Sequence, residues 1–166
     1  MSDVKLAYGT AADATITLAS LATDSNKLTG RESDALVNTT LLALDYLISG
    51  KITTGTSPTA SKTIEVWAVG SWDGTTYPDV FDGTDSAETI TSAEIKNSIC
   101  KLVAALATTS SSNVTTPFGP VSLASIFGGV VPAKVVFFVT HDTGVNLNST
   151  AGNHQIRILP VYETVV

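Results

Sequence analysis

The stretch Val135-Val136-Phe137-Phe138-Val139-Thr140, set between Pro132 and the turn Asp142-Thr143-Gly144, decides the fold. It concentrates β-branched and aromatic residues more than any other run in the chain. It is strand-length and bounded by a proline and a glycine turn. Being apolar at nearly every position, it reads as a central strand with both faces covered.

The neighbouring segments read as material to cover it. Thr63 to Ser71 alternates Ile64, Val66 and Ala68 against Glu65, Trp67 and Val69, which predicts a second strand. Leu41 to Thr54 places Leu42, Leu44, Tyr46 and Ile48 on one face with period two, a third strand with a bulge or a close backbone approach at Gly50. Val4 to Tyr8 and Ala14 to Leu18 are short alternating runs, either a strand pair or one extended arm. Arg31 to Val37 predicts a strand near an edge, with Arg31, Glu32 and Asp34 facing water. His154 to Val165 closes the chain as a strand, with Pro160 at an edge or a bulge.

Between these lie irregular segments. Thr75 to Thr91 has no period and reads as a long surface loop. Thr91 and Glu94 have capping-box spacing, and a helical face could run from Ile95 to Leu106. Cys100 to Thr108 also suits a strand, so the reading favoured is one helical turn and then a strand. Ser122 predicts an N-cap for a single turn from Leu123 to Phe127, stopped by Gly128-Gly129. The total predicts an all-β chain: an antiparallel β-sandwich, a jelly roll of about eight strands with one or two short helical turns. A single domain is expected over 1–166, with 1–21 as an N-terminal arm.

Composition narrows the function classes. The net charge of −6 and nine scattered basic residues argue against a nucleic-acid partner, which needs a cationic stripe. No apolar run approaches the ~20 residues of a membrane-spanning helix. Met1-Ser2-Asp3 does not begin a signal peptide, and the lone Cys100 cannot form an internal disulfide. About a quarter of the residues are Ser or Thr, so the surface is weakly charged and suits a protein packed in an assembly.

The candidates for chemistry are isolated. Asp142-Thr143-Gly144 is an aspartic-protease tripeptide, but that mechanism needs two carboxylates and the chain holds one copy. Asp73, Asp79, Asp82, Asp85 and Glu88 could offer Ca²⁺ ligands, though without EF-hand spacing. His141, His154 and Cys100 lack metal-ligand spacing. Trp67, Trp72 and Tyr77 could form an aromatic platform for a sugar. The Asn-x-Thr triplets at Asn38, Asn113 and Asn148 are expected from threonine abundance alone. The expectation is therefore no enzyme, no cofactor and no bound metal.

Five segments in order carry a resemblance: Leu42 to Gly55 (LALDYLISGKITTG), Thr63 to Trp72 (TIEVWAVGSW), Thr116 to Gly129 (TPFGPVSLASIFGG), Val135 to Leu147 (VVFFVTHDTGVNL), and Asn153-His154 with Pro160-Val161-Tyr162. The series resembles small virion structural proteins of tailed bacteriophages, most nearly the jelly-roll capsid decoration or cement proteins. The resemblance implies a non-enzymatic role on the outer face of the shell, clamping major capsid protein subunits, in a virion assembled in the host bacterial cytoplasm. It leaves a tail, neck or fibre-attachment component as the alternative, and a carbohydrate-binding sandwich as a second. A homo-oligomer, dimer or trimer, is expected, with neither nucleic acid nor membrane as partner. Interface candidates are Val4, Leu6, Tyr8, Ile16 and Leu18 on the arm, and Phe118, Val121, Leu123, Ile126 and Phe127 on the second apolar segment.

Overall fold

The computed structural model describes residues 3–165, so both extremes of the 1–166 reading and the first two residues of the arm lie outside the described residues. In chain order the strands are β1 (Val4–Tyr8), β2 (Ala12–Asp13), β3 (Thr29–Glu32), β4 (Leu36–Val37), β5 (Asp45–Thr53) and β6 (Thr63–Ser71). They continue as β7 (Ala87–Thr89), β8 (Lys101–Ala107), β9 (Thr115–Ser122), β10 (Lys134–His141) and β11 (Gln155–Val165). Three short α-helices, α1 (Asn38–Leu41), α2 (Ala93–Ile99) and α3 (Leu123–Ile126), join them.

One sheet runs β1-β11-β5-β9, with β2 also on β11; the other runs β7-β3-β10-β6-β8, with β4 also on β10. Every pairing is antiparallel. Setting aside the three shortest strands, β2, β4 and β7, leaves eight. Numbered afresh, these stand in the orders 1-8-3-6 and 2-7-4-5, the order of a jelly roll. First pairs with last, second with seventh, third with sixth and fourth with fifth. The chain is one long hairpin rolled on itself.

β10 is the centre, as its composition predicts: Val135 through His141 are all buried. Val135, Phe137 and Val139 face the other sheet and meet Tyr46, Ile48, Ile52 and Ile156 in the main core. Val136 and Phe138 face outward and are covered by Phe81, Ile90, Cys100, Ile95 and Ile99. Thr75 to Thr91 is therefore more than a surface loop. It contributes β7 and lays Phe81 and Ile90 over the sheet, with the Phe81 and Phe138 rings edge to face at 5.5 Å.

Several boundaries differ from the sequence expectation. Leu41 to Thr54 is not strand throughout: α1 ends at Leu41, Leu42 is left-handed (φ 51°), and β5 starts at Asp45. Leu42 and Leu44 are consequently exposed. The cause is Asn38, whose Oδ1 accepts from the Ala43 N–H (2.9 Å) and the Tyr46 hydroxyl (2.7 Å), closing a turn before the strand begins. Ala14 to Leu18 is no strand either. Its Ala14 N–H bonds the Ile156 carbonyl in one sheet, while the Thr15 carbonyl accepts from Asp34 beside the other. The segment crosses between sheets and closes one side of the sandwich, with Leu18 in the core.

Pro160 lies at a bulge-like break, as expected: Tyr8 is opposite Val161 but Ala12 opposite Ile158, so the strand facing it carries one extra residue. β11 is interior, yet the Pro160 carbonyl points at the Gly9 N–H, where β1 has ended and β2 has not begun. Gly9 is opposite Pro160, and the N–H that Pro160 lacks leaves the return bond to Gly9 unmade, so the β1 ladder stops there. Gly50 does mark a register shift, between β5 and β9. A Cβ there would overlap the Gln155 carbonyl oxygen and lie 2.7 Å from the Phe118 ring. The ambiguous Thr91 to Ala107 segment resolves as α2 followed by β8, with Ser92 rather than Thr91 as N-cap: its hydroxyl accepts from the Ile95 N–H. Ser122 caps α3 in the same way.

Candidate functional site

Among the described residues the carboxylates singled out in the sequence are each engaged with the protein. Asp73 Oδ1 accepts from the Ser71 hydroxyl and the Thr75 and Thr76 N–H groups. Asp79 holds Thr91, Asp82 holds Thr84, Asp85 joins Arg31 to Thr17, and Glu88 accepts from Ser86. No group of three or more His, Cys, Asp or Glu among these residues is placed to hold a metal ion. Asp142 accepts from the Thr63 N–H at 2.8 Å and lies 3.8 Å from Lys27 and 3.5 Å from Lys62. Burial alone would raise its pKa, but these partners hold it below the ordinary carboxylate value.

The histidines are structural anchors. His141 is fully buried, with Nε2 3.1 Å from the Leu21 carbonyl and Nδ1 3.0 Å from the Thr143 hydroxyl. A carbonyl can only accept, so Nε2 carries the proton; the Thr143 hydroxyl beside Nδ1 donates its one proton to the Val145 carbonyl at 2.8 Å. Burial holds its pKa below the usual value. His154 likewise meets the Asn148 carbonyl through Nε2 at 2.8 Å. Cys100 is buried in the outer core, and its thiol is pushed up to about 12 by burial, so it is a poor nucleophile.

Glu32 is a feature the sequence did not reveal. It was expected to face water and is instead fully buried, because the segment after β6 folds over it. Its Oε1 accepts from the Gly83 N–H at 2.7 Å, and the Asp82 N–H also points at the carboxylate. Burial raises its pKa to about 7 against these two bonds, and the charges of Asp82 and Glu88 add to the rise. A folded-state pKa above the unfolded value means the folded chain binds the extra proton. The associated stability is complete below about pH 4.3 and is lost as pH rises to about 7. Glu32→Gln, which keeps the acceptor oxygen, is expected to flatten this slope relative to wild type by up to about 3 kcal/mol. Urea unfolding of both proteins at pH 5 and pH 8 checks it; parallel pH profiles would refute it.

Among the described residues, three open surfaces stand out. The first is a cavity of about 450 Å³ between the crossing segment and the sheets. Leu36, Tyr46, Ile158 and Pro160 line it, with Asp13 and Asp34 among its polar groups. The second is a ribbon. β11 pairs with β5 only as far as Val161, and from Val161 to Val165 its partner is β1. These two strands run on past the start of β5, and Val4, Leu6, Tyr8 and Val165 are 63–69% exposed. The third is a cleft of about 680 Å³ lined by Trp72, Asp73, Tyr77, Pro78, Lys101 and Phe127, among others.

The interface candidates thus separate by environment. Val4, Leu6 and Tyr8 stand in solvent, whereas Leu18 and Leu123 are spent on this chain's own core. Ile16, Phe118, Val121, Ile126 and Phe127 are half-buried and pack against that core. Of the aromatic trio, Trp72 and Tyr77 come together at the cleft. Trp67 lies elsewhere, under the Lys96 ammonium at 5.1 Å. No helix among the described residues is long and apolar enough to cross a membrane. No family model, curated protein or solved structure matches the chain.

Proposed function

We propose that this protein is a non-enzymatic virion structural protein of the tailed-bacteriophage type, a decoration protein that binds the outer face of the capsid shell and clamps major capsid protein subunits. The observation that carries the reading is the ribbon of β1 and the end of β11. A two-stranded ribbon is marginally stable in water, and this one holds three large apolar side chains of β1 on one face. β1 is also the outermost strand there, so its free edge can add a strand from a neighbour. Many weak contacts of this kind on a symmetric lattice act together. Self-association into a dimer or trimer through the same edge belongs to the proposal.

Removing residues 1–8 tests it, because that cut takes the ribbon strand and spares Leu18 and the core. The truncated protein is expected to keep its urea midpoint and to lose co-sedimentation with shells assembled without it. Unchanged co-sedimentation would overturn the assignment of the ribbon. Copy number in purified virions, read by quantitative mass spectrometry, separates the positions. A number near that of the major capsid protein supports a shell role, a few per cent moves the protein to tail or neck, and absence overturns the virion reading.

A further inference from the structure

We propose that the Trp72 cleft is a carbohydrate-binding site that takes pyranose units of a neutral glycan. Trp72 follows directly on β6 and is 60% exposed. Its indole is held in place: Phe127 stands perpendicular to it at 6.0 Å, and the next residue, Asp73, locks the turn through the Thr75 and Thr76 N–H groups. Gly70 makes the support fit, since a Cβ there would lie 2.6 Å from Pro132 and 3.2 Å from the Phe127 ring. The result is a fixed aromatic surface open to solvent.

The chemistry around that surface is mixed in a way that suits a sugar. Tyr77, Pro78 and Ile99 extend the apolar floor, while Asp73, Thr76, Ser98 and Lys101 supply polar groups. A pyranose offers C–H faces to stack on an indole and hydroxyls that both donate and accept. Asp73 takes its three protein hydrogen bonds on Oδ1, leaving Oδ2 to accept from a ligand. Lys101, which forms no ion pair among the described residues, can donate. One carboxylate and one ammonium make the lining neutral in sum, and the chain's net charge of −6 disfavours acidic glycans. A proline-rich peptide would use the apolar floor and leave this polar set without partners.

An array of neutral oligosaccharides, followed by tryptophan-fluorescence titration with maltohexaose, cellohexaose and chitohexaose, tests the site. Wild-type protein is expected to be retained by at least one neutral glycan, with little dependence on salt. Trp72→Ala should weaken that binding by at least about tenfold with an unchanged urea midpoint, because the side chain is largely exposed. Lys101→Ala should weaken it several-fold, while Leu6→Ser on the ribbon should leave it unchanged. Failure of wild type to retain any neutral glycan would overturn the proposal, as would equal binding by Trp72→Ala or a preference for proline-rich peptides. The ribbon and the cleft share no residue, so neither test decides the other.

Discussion

Phe137→Ala is expected to cost about 3–5 kcal/mol of folding stability. The ring is fully buried at the middle of β10 and faces the opposite sheet. Both neighbours of β10 are hydrogen-bonded to it, β6 along its whole length and β3 and β4 over parts of the other side. A strand held on both sides cannot move inward to close the space a missing ring leaves, so the cavity term adds to the lost burial. Phe118→Ala is the comparison, because that ring is only half-buried at the packed margin of the core. Urea unfolding should show a much lower midpoint for Phe137→Ala at an unchanged slope, and a smaller shift for Phe118→Ala. Equal, small losses would mean that the two sheets repack freely.

The second large effect is expected from Glu65→Ala, at about 3–5 kcal/mol. Lys96 is 6% exposed, and its ammonium donates to Glu65 Oε2 at 3.2 Å and to the Lys27 carbonyl at 2.9 Å. Lys27 approaches Oε1 at 2.9 Å, and the Trp67 indole N–H donates to Oε2 at 3.0 Å. Removing the carboxylate leaves the buried Lys96 ammonium without its counter-charge, beside Lys27, which keeps Asp142 at 3.8 Å. The pair Glu65→Leu with Lys96→Met removes both charges together and should recover most of the loss, which a double-mutant cycle would read as strong coupling. A single-mutant cost under about 1 kcal/mol would place the pair with ordinary surface ion pairs.

The pKa of this carboxyl gives a further check. Burial would raise it, but the bonds and charges of Lys27 and Lys96 hold it below the ordinary value. Its stabilisation is therefore present above the unfolded carboxyl pKa and is lost as pH falls. Glu32 has the opposite slope in a different window: its contribution changes between about pH 4.3 and 7, and that of Glu65 only below about pH 4.3.

Legibility in the sequence followed how local each cause is. The strand of Val135 to Thr140, the alternation of Thr63 to Ser71 and the cap at Ser122 are properties of adjacent residues, and all three are found as expected. The two-sheet class followed from their number and spacing. The partners of each strand did not, because Val4 lies opposite Val165 and Ile52 opposite Thr116, and no pattern within a window connects such positions. Glu32 was misread for a related reason: its burial is set by backbone N–H groups fifty residues away. Phe81 and Ile90 cover the outer sheet face from a segment with no period to betray them. At the candidate sites, Trp72 and Tyr77 are near in sequence and were legible together. By contrast, Leu6 and Leu18 look alike on paper and differ only in what the fold brings over them.

The nested pairing has a practical consequence for genetic construction. Val4 and Val165 are opposite each other in the ladder, so the first and the last described strand begin and finish side by side at the surface. A host protein could receive the whole unit at a single exposed loop with both junctions side by side. For the same reason, peptide cargo joined next to Val4 or Val165 would be displayed at the tip of the ribbon.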